Sequence, residues 1–265
     1  MPLHLDTLTD LELTDEMIFA LVNQDNDDYK QSGTSKDKRI ILMANPLIDL
    51  TTKEKIGKFV FTFEIYQRTK QLMLIDIDMT LDSPQPIKLD FIERLPMSSL
   101  ANEYYLVSVG DEGPHLQIET VNRHAVELEN LEDTTQAVYI SAFPFSLSIY
   151  DDLDELNDSL GMKKTVVIAG EEYKLTGFDL NFMGTGDAFG AKEGETFTFL
   201  VGTIVSYRFV RIDIVENIVD FVLAEVSTAL GTIPCAISRS AFDLKKLSTG
   251  KVLAMKADIK ADFLK

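Results

Sequence analysis

Two aspartates two positions apart, Asp76 and Asp78, lie in the segment Met73-Leu74-Ile75-Asp76-Ile77-Asp78-Met79-Thr80. On an extended chain that spacing sends both carboxylates to one face. One can then attack an electrophile while the other moves a proton, beside a divalent cation. A third carboxylate, Asp187, sits in the glycine-rich stretch Gly184-Thr185-Gly186-Asp187. A different chemistry belongs to Tyr207, Phe209 and Arg211. Alternate residues of a strand share a face, and aromatic rings beside a guanidinium are the groups on which unpaired bases stack. Transition-metal chemistry is poorly supplied. His4, His115 and His124 show no His-Glu-x-x-His spacing, and with one cysteine there is no Cys-x-x-Cys. The histidines read as surface residues. Cys235 follows Pro234 in an apolar run and reads as a buried, inert thiol. The cluster Asp25-Asn26-Asp27-Asp28 places Tyr29, Lys30 and Lys36 where a calcium loop needs an oxygen ligand, a glycine and a glutamate, so it reads as a solvated loop. Gly184, Gly186 and Gly190 lack the spacing of a dinucleotide fingerprint and read as a turn-rich connection.

The segment ending Asp76-x-Asp78-x-Thr80 resembles the first motif of haloacid-dehalogenase-type phosphatases. The resemblance implies a magnesium-dependent phosphatase with Asp76 as nucleophile, Asp78 as general acid/base and Asp187 in the metal loop. This sequence departs from that pattern at Met79, where the motif has glycine, and at Pro84 and Pro86, where a helix should start. The neighbouring residues also pattern as an antiparallel hairpin rather than a strand of a parallel α/β sheet. Read from the alternation alone, Asp76 and Asp78 are the wet side of a strand whose dry side is Met73, Ile75, Ile77, Met79 and Leu81.

That alternation is the clearest structural signal. Phe59, Phe61, Phe63 and Ile65 alternate with Lys58, Val60, Thr62 and Glu64, and after a short polar link the period of two resumes through Leu81. Two such runs predict an antiparallel hairpin with one buried face. Further strands are predicted over 104–109, 116–121, 137–142, 165–169 and 173–175. Helices are predicted at 17–22, behind the cap Thr14, and after Asp151 or Asp152, where Leu153, Leu156 and Leu160 share a face and Gly161 stops the helix. Downstream the pattern gives a long strand over 196–214 with Gly202 at a bulge or bend, strands over 219–226 and 233–237, one or two helical turns over 241–247, and a last strand. In that last strand Leu253, Met255, Ala257, Ile259 and Ala261 face inward, and Lys256, Asp258, Lys260 and Asp262 face water. The order of these last elements resembles a small five-stranded barrel of the oligonucleotide/oligosaccharide-binding (OB) type.

The 265-residue chain carries a net charge of −18. Residues 196–265 hold nine Lys and Arg against seven Asp and Glu, so the whole deficit lies upstream. Such a field repels nucleic acid and anionic membranes and tolerates basic partners. No window approaches the ~20 consecutive apolar residues of a membrane helix. A single cysteine fits a reducing compartment, so a soluble cytoplasmic protein is expected. The expected fold is mostly β or α+β: antiparallel sheets with few short helices, an acidic β-rich domain over 1–190, and a small OB-like barrel over 195–265. The expected role is non-catalytic binding of another protein, without cofactor or metal. The alternatives are the phosphatase and a single-strand binder using Tyr207, Phe209 and Arg211.

Overall fold

The alternating apolar residues do form strands, and the computed structural model is mostly β. It describes residues 28–33, 38–66, 71–96, 103–110, 113–121, 130–161, 165–174, 182–186, 197–214, 217–239 and 242–263. The helix expected at 17–22 lies outside these residues. A four-stranded antiparallel sheet runs in the order β1 (Asp28–Gly33), β2 (Lys38–Ile48), β3 (Lys55–Tyr66) and β4 (Gln71–Leu81). β3 and β4 are the expected hairpin, with Phe59 opposite Met79 and Phe61 opposite Ile77. A register shift then pairs Thr62 with Asp76 but Phe63 with Leu74. A one-residue shift turns the following side chains to the opposite face. Met73, expected on the dry side, is accordingly 45% exposed.

The second sheet holds β5 (Ile87–Arg94), β6 (Glu103–Ser108), β7 (His115–Val121), β8 (Thr134–Tyr150), β11 (Met183–Thr185), β12 (Thr198–Ile214), β13 (Asn217–Thr228), β14 (Gly231–Ser238) and β15 (Val252–Asp262). Its pairings close two rings. β12, β13, β14, β8 and β15 return to β12, and β5, β6, β7, β15 and β8 return to β5. β8 and β15 pair antiparallel along their length and form the wall common to both rings. The other edge of β15 is shared out: residues 252–257 bond β12 and 260–262 bond β7. The rings are therefore stacked along one wall, and their interiors are continuous. Leu253, Met255, Ala257, Ile259 and Ala261 line a single core that includes Leu89, Tyr105 and Leu116 of one ring and Leu200, Val222 and Cys235 of the other. The pairing plan repeats: β5 and β12 each pair antiparallel with the fourth strand of their own unit, while β7 and β14 each pair parallel with the fourth strand of the other unit.

Residues 198–262 supply four strands of the C-terminal ring, β12 to β15, and β8 from residues 134–150 is its fifth. Gly202 marks the corner at which β12 leaves β15 and joins β13, and a register shift follows at Ile204 and Ser206. A Cβ on Gly202 would stand 2.6 Å from both the Ser227 carbonyl oxygen and Val226 Cγ1, so the strands can cross closely only over glycine. The helix α1 (Leu153–Ser159) starts on Asp152, whose side chain accepts from the Glu155 backbone N–H at 2.8 Å. Its residue Leu156 is buried against Val201 and Val252, while Leu160 is exposed. The segment over 242–247 forms turns rather than the expected helical turns. There the Asp243 carboxylate accepts the Lys245 backbone N–H at 3.1 Å, a local bond that competes with helix formation. The two-stranded hairpin β9 (Thr165–Ile168) and β10 (Glu171–Lys174) completes the described chain. Among the described residues no helix is long and apolar enough to cross a membrane.

The first sheet packs on the outside of the barrel. Phe59, Phe61, Phe63, Ile77 and Met79 form one cluster with Phe143, Val210, Ile212 and Phe221. Full burial of one such side chain stabilises by about 1.5–3 kcal/mol, so this apolar contact supplies most of the drive for docking.

Candidate functional site

Asp78 does not wet the outside of a ribbon. It is 3% exposed, because β3 and β4 are buried on both faces: Lys58, Val60, Thr62 and Thr80 are buried as well as the phenylalanines. β15 departs from expectation in the same way, with Lys260 and Asp262 enclosed instead of facing water. These residues meet where the first sheet docks. The Lys260 ammonium contacts Asp78 Oδ1 and lies 2.8 Å from Glu119 Oε2. Beside it Lys58 Nζ lies 2.9 Å from Asp262 Oδ2, which also accepts the Thr80 hydroxyl at 3.2 Å. Register explains the assembly: Lys260 of β15 stands opposite Ser141 of β8 on one side and Glu119 of β7 on the other, and β4 brings Asp78 over them.

Burial works to discharge Lys260, but the adjacent carboxylates Asp78 and Glu119 outweigh it and hold the ammonium above the ordinary lysine range. Tyr104, the cross-strand partner of Glu119, is driven above the ordinary tyrosine range, first by burial and then by the Glu119 charge. A cavity of about 10 Å³ adjoins Tyr104, Glu119 and Phe197. That is room for about one water and for no substrate.

Asp76 is placed in β4 opposite Thr62, but its side chain lies outside the described residues, as do Asp187, His4, His124 and Asp25 to Asp27. His115 is exposed at the start of β7, and Cys235 is buried, its thiol pushed up to about 12 by burial. Among the described residues no group of three His, Cys, Asp or Glu is arranged to hold a metal ion. Nothing in the sequence distinguished Lys260 and Asp262 from the charges of a wet strand face. The alternation marks which residues share a side, not whether a second sheet covers that side.

Tyr207, Phe209 and Arg211 do share one face of β12, and all three are exposed. The Tyr207 and Phe209 rings meet edge to face at 6.2 Å. The Arg239 guanidinium lies 5.0 Å from the Phe209 ring centre, within the range of a cation–π contact. Arg211 donates two hydrogen bonds to Asp220 on β13, at 2.8 and 3.1 Å, and these hold the Asp220 carboxyl below its ordinary range. Ile218, on the same hairpin, is 61% exposed. Around Tyr207 opens a cleft of about 420 Å³ whose charged walls include Glu54, Lys55, Asp82, Arg208 and Glu225. Its charges are largely engaged: Arg208 pairs with Glu54 at 2.5 Å, and Ser206 donates to Glu225 at 2.8 Å. Compared with protein-family models, with curated proteins and with solved structures, the chain matches none.

Proposed function

We propose that this is a non-catalytic binding protein of the cytoplasm that engages a protein partner through the β12–β13 face. One observation carries the reading: Tyr207, Phe209 and Ile218 are large apolar side chains exposed together on one hairpin, whereas the barrel interior is filled by its own side chains. Exposed apolar surface rimmed by charges such as Arg211, Asp220 and Arg239 is the usual composition of a protein contact. The Asp78 carboxylate, engaged by Lys260 in a closed interior, is unlike one that must meet a phosphate ester. To test the proposal, a photo-crosslinking residue is placed at Phe209 and, as control, at exposed Val167 of the β9–β10 hairpin. A protein crosslinked from position 209 alone, and competed by unlabelled wild type but not by a Phe209→Ser, Ile218→Ser variant, supports the reading. Equal labelling from both positions overturns it, and magnesium-dependent phosphate-ester hydrolysis that Asp76→Asn abolishes would favour the phosphatase.

A second reading has its own observation, the placement of Arg239 on Phe209 beside Tyr207 and Arg211 on one face of β12. A single-stranded nucleic acid would stack there. Salt-sensitive binding of a short oligonucleotide, lost in Phe209→Ser, supports it; no binding at low salt removes it.

A further inference from the structure

An ammonium enclosed between two carboxylates brings together the groups that are the reactants and proton carrier of an amide condensation. We propose that the Lys260 side-chain nitrogen and the Asp78 side-chain carboxyl join in an intramolecular amide, with Glu119 carrying the proton. Four observations support it. Lys260 Nζ touches Asp78 Oδ1. Glu119 Oε2 lies 2.8 Å from the same nitrogen, so acid, amine and proton shuttle converge on one atom. The side chains of Lys260, Asp78 and Glu119 are all within a few per cent of complete burial, which keeps bulk water from the bond once formed. The cavity of about 10 Å³ beside Glu119 can take about one water, the product that must leave.

The step balances without an oxidant, reductant or co-reactant. A proton passes from the Lys260 ammonium to the Asp78 carboxylate, converting the ion pair to amine and acid. The nitrogen lone pair attacks Asp78 Cγ, and a C–N bond forms. Glu119 takes a proton from the nitrogen and delivers it to the departing oxygen, the C–O bond breaks, and water leaves. Lys260 and Asp78 lose their charges together, and Glu119 ends in the protonation state in which it began. The resting ammonium makes the reactive arrangement a minor one, which slows the step. It happens once per molecule, and fixed reactants replace encounter, an advantage worth effective concentrations of about 10⁵–10⁸ M in well-oriented cases. The bond joins β4 of the docked sheet to β15 of the barrel wall, residues separated by 182 positions.

Intact-mass measurement of the purified full chain tests the proposal. The expected mass is one water below that of the sequence. Proteolysis should yield a branched peptide joining the β4 and β15 segments, and the denatured chain should run ahead of the unlinked one on a gel. Lys260→Arg and Asp78→Ala should restore the full mass, and Glu119→Gln should leave most molecules unlinked with both reactants present. Should these variants fail to fold, the wild-type fragment map decides alone. A folded wild-type chain of full mass, with an unmodified Lys260 amine in its fragments, overturns the proposal. So does a water loss that maps elsewhere, such as an aspartate cyclised onto its own backbone.

Discussion

A lysine with no solvent contact is stable only while its counter-charges stay in place. Lys260→Met would leave Asp78 and Glu119 enclosed without their cation. Breaking one side of a buried pair costs about 3–5 kcal/mol, and urea unfolding should show a loss of that size relative to unlinked protein. Adding Asp78→Leu should recover part of it, since exchanging a whole buried pair for apolar groups is often neutral. The pH dependence has a definite sign. The folded-state value of Lys260 is raised, so its contribution is complete below the ordinary lysine value of about 10.4 and drains away as pH rises past it. Denaturant midpoints of unlinked protein should therefore be level from this group at neutral pH and fall in alkali; a fall confined to acid would contradict the assignment. At this scale the sequence was least legible. Asp78 was singled out for its spacing from Asp76, yet its partner Lys260 lies 182 positions away, on a strand whose own pattern gave no sign of a covering sheet.

Elements were easier to read, because their signals are local. Phe59 to Ile65 and Ile77 to Leu81 announced β3 and β4 through strict alternation, and Gly202 announced the corner of β12 through its missing side chain. What failed was register: no residue type marks the shift between Thr62 and Phe63, so Met73 was assigned to the wrong side. β5 was missed because Lys88, Asp90 and Glu93 dilute its apolar pattern. Gly202→Val should cost about 1–3 kcal/mol through overpacking, since its side chain meets the Ser227 carbonyl and Val226; an unchanged melting temperature would show that the corner relaxes. The β9–β10 turn offers the opposite case. Ala169 (φ 53°) precedes Gly170 (φ 85°), two left-handed residues in a two-residue hairpin turn. Asparagine tolerates that conformation and alanine does not, so Ala169→Asn should stabilise the hairpin by about 1 kcal/mol, read as slower amide exchange across β9 and β10.

For the whole molecule, composition spoke to surface and hydropathy pattern to class, but neither revealed that β5–β8 and β12–β15 follow one pairing plan, because that repeat lies in hydrogen bonding and not in residue identities. The plan has a consequence for how the chain is made. Each ring borrows a strand from the other unit, β8 serving β14 and β15 serving β7. A ribosome that has released only the first unit has produced a ring with a missing stave, its apolar lining open until β15 emerges. Long-range pairing of that kind folds slowly. Separately produced pieces 1–190 and 195–265 should each lack a cooperative melting transition, and mixing them should restore one. Independent melting of the shorter piece would mean that its four strands can close without the fifth.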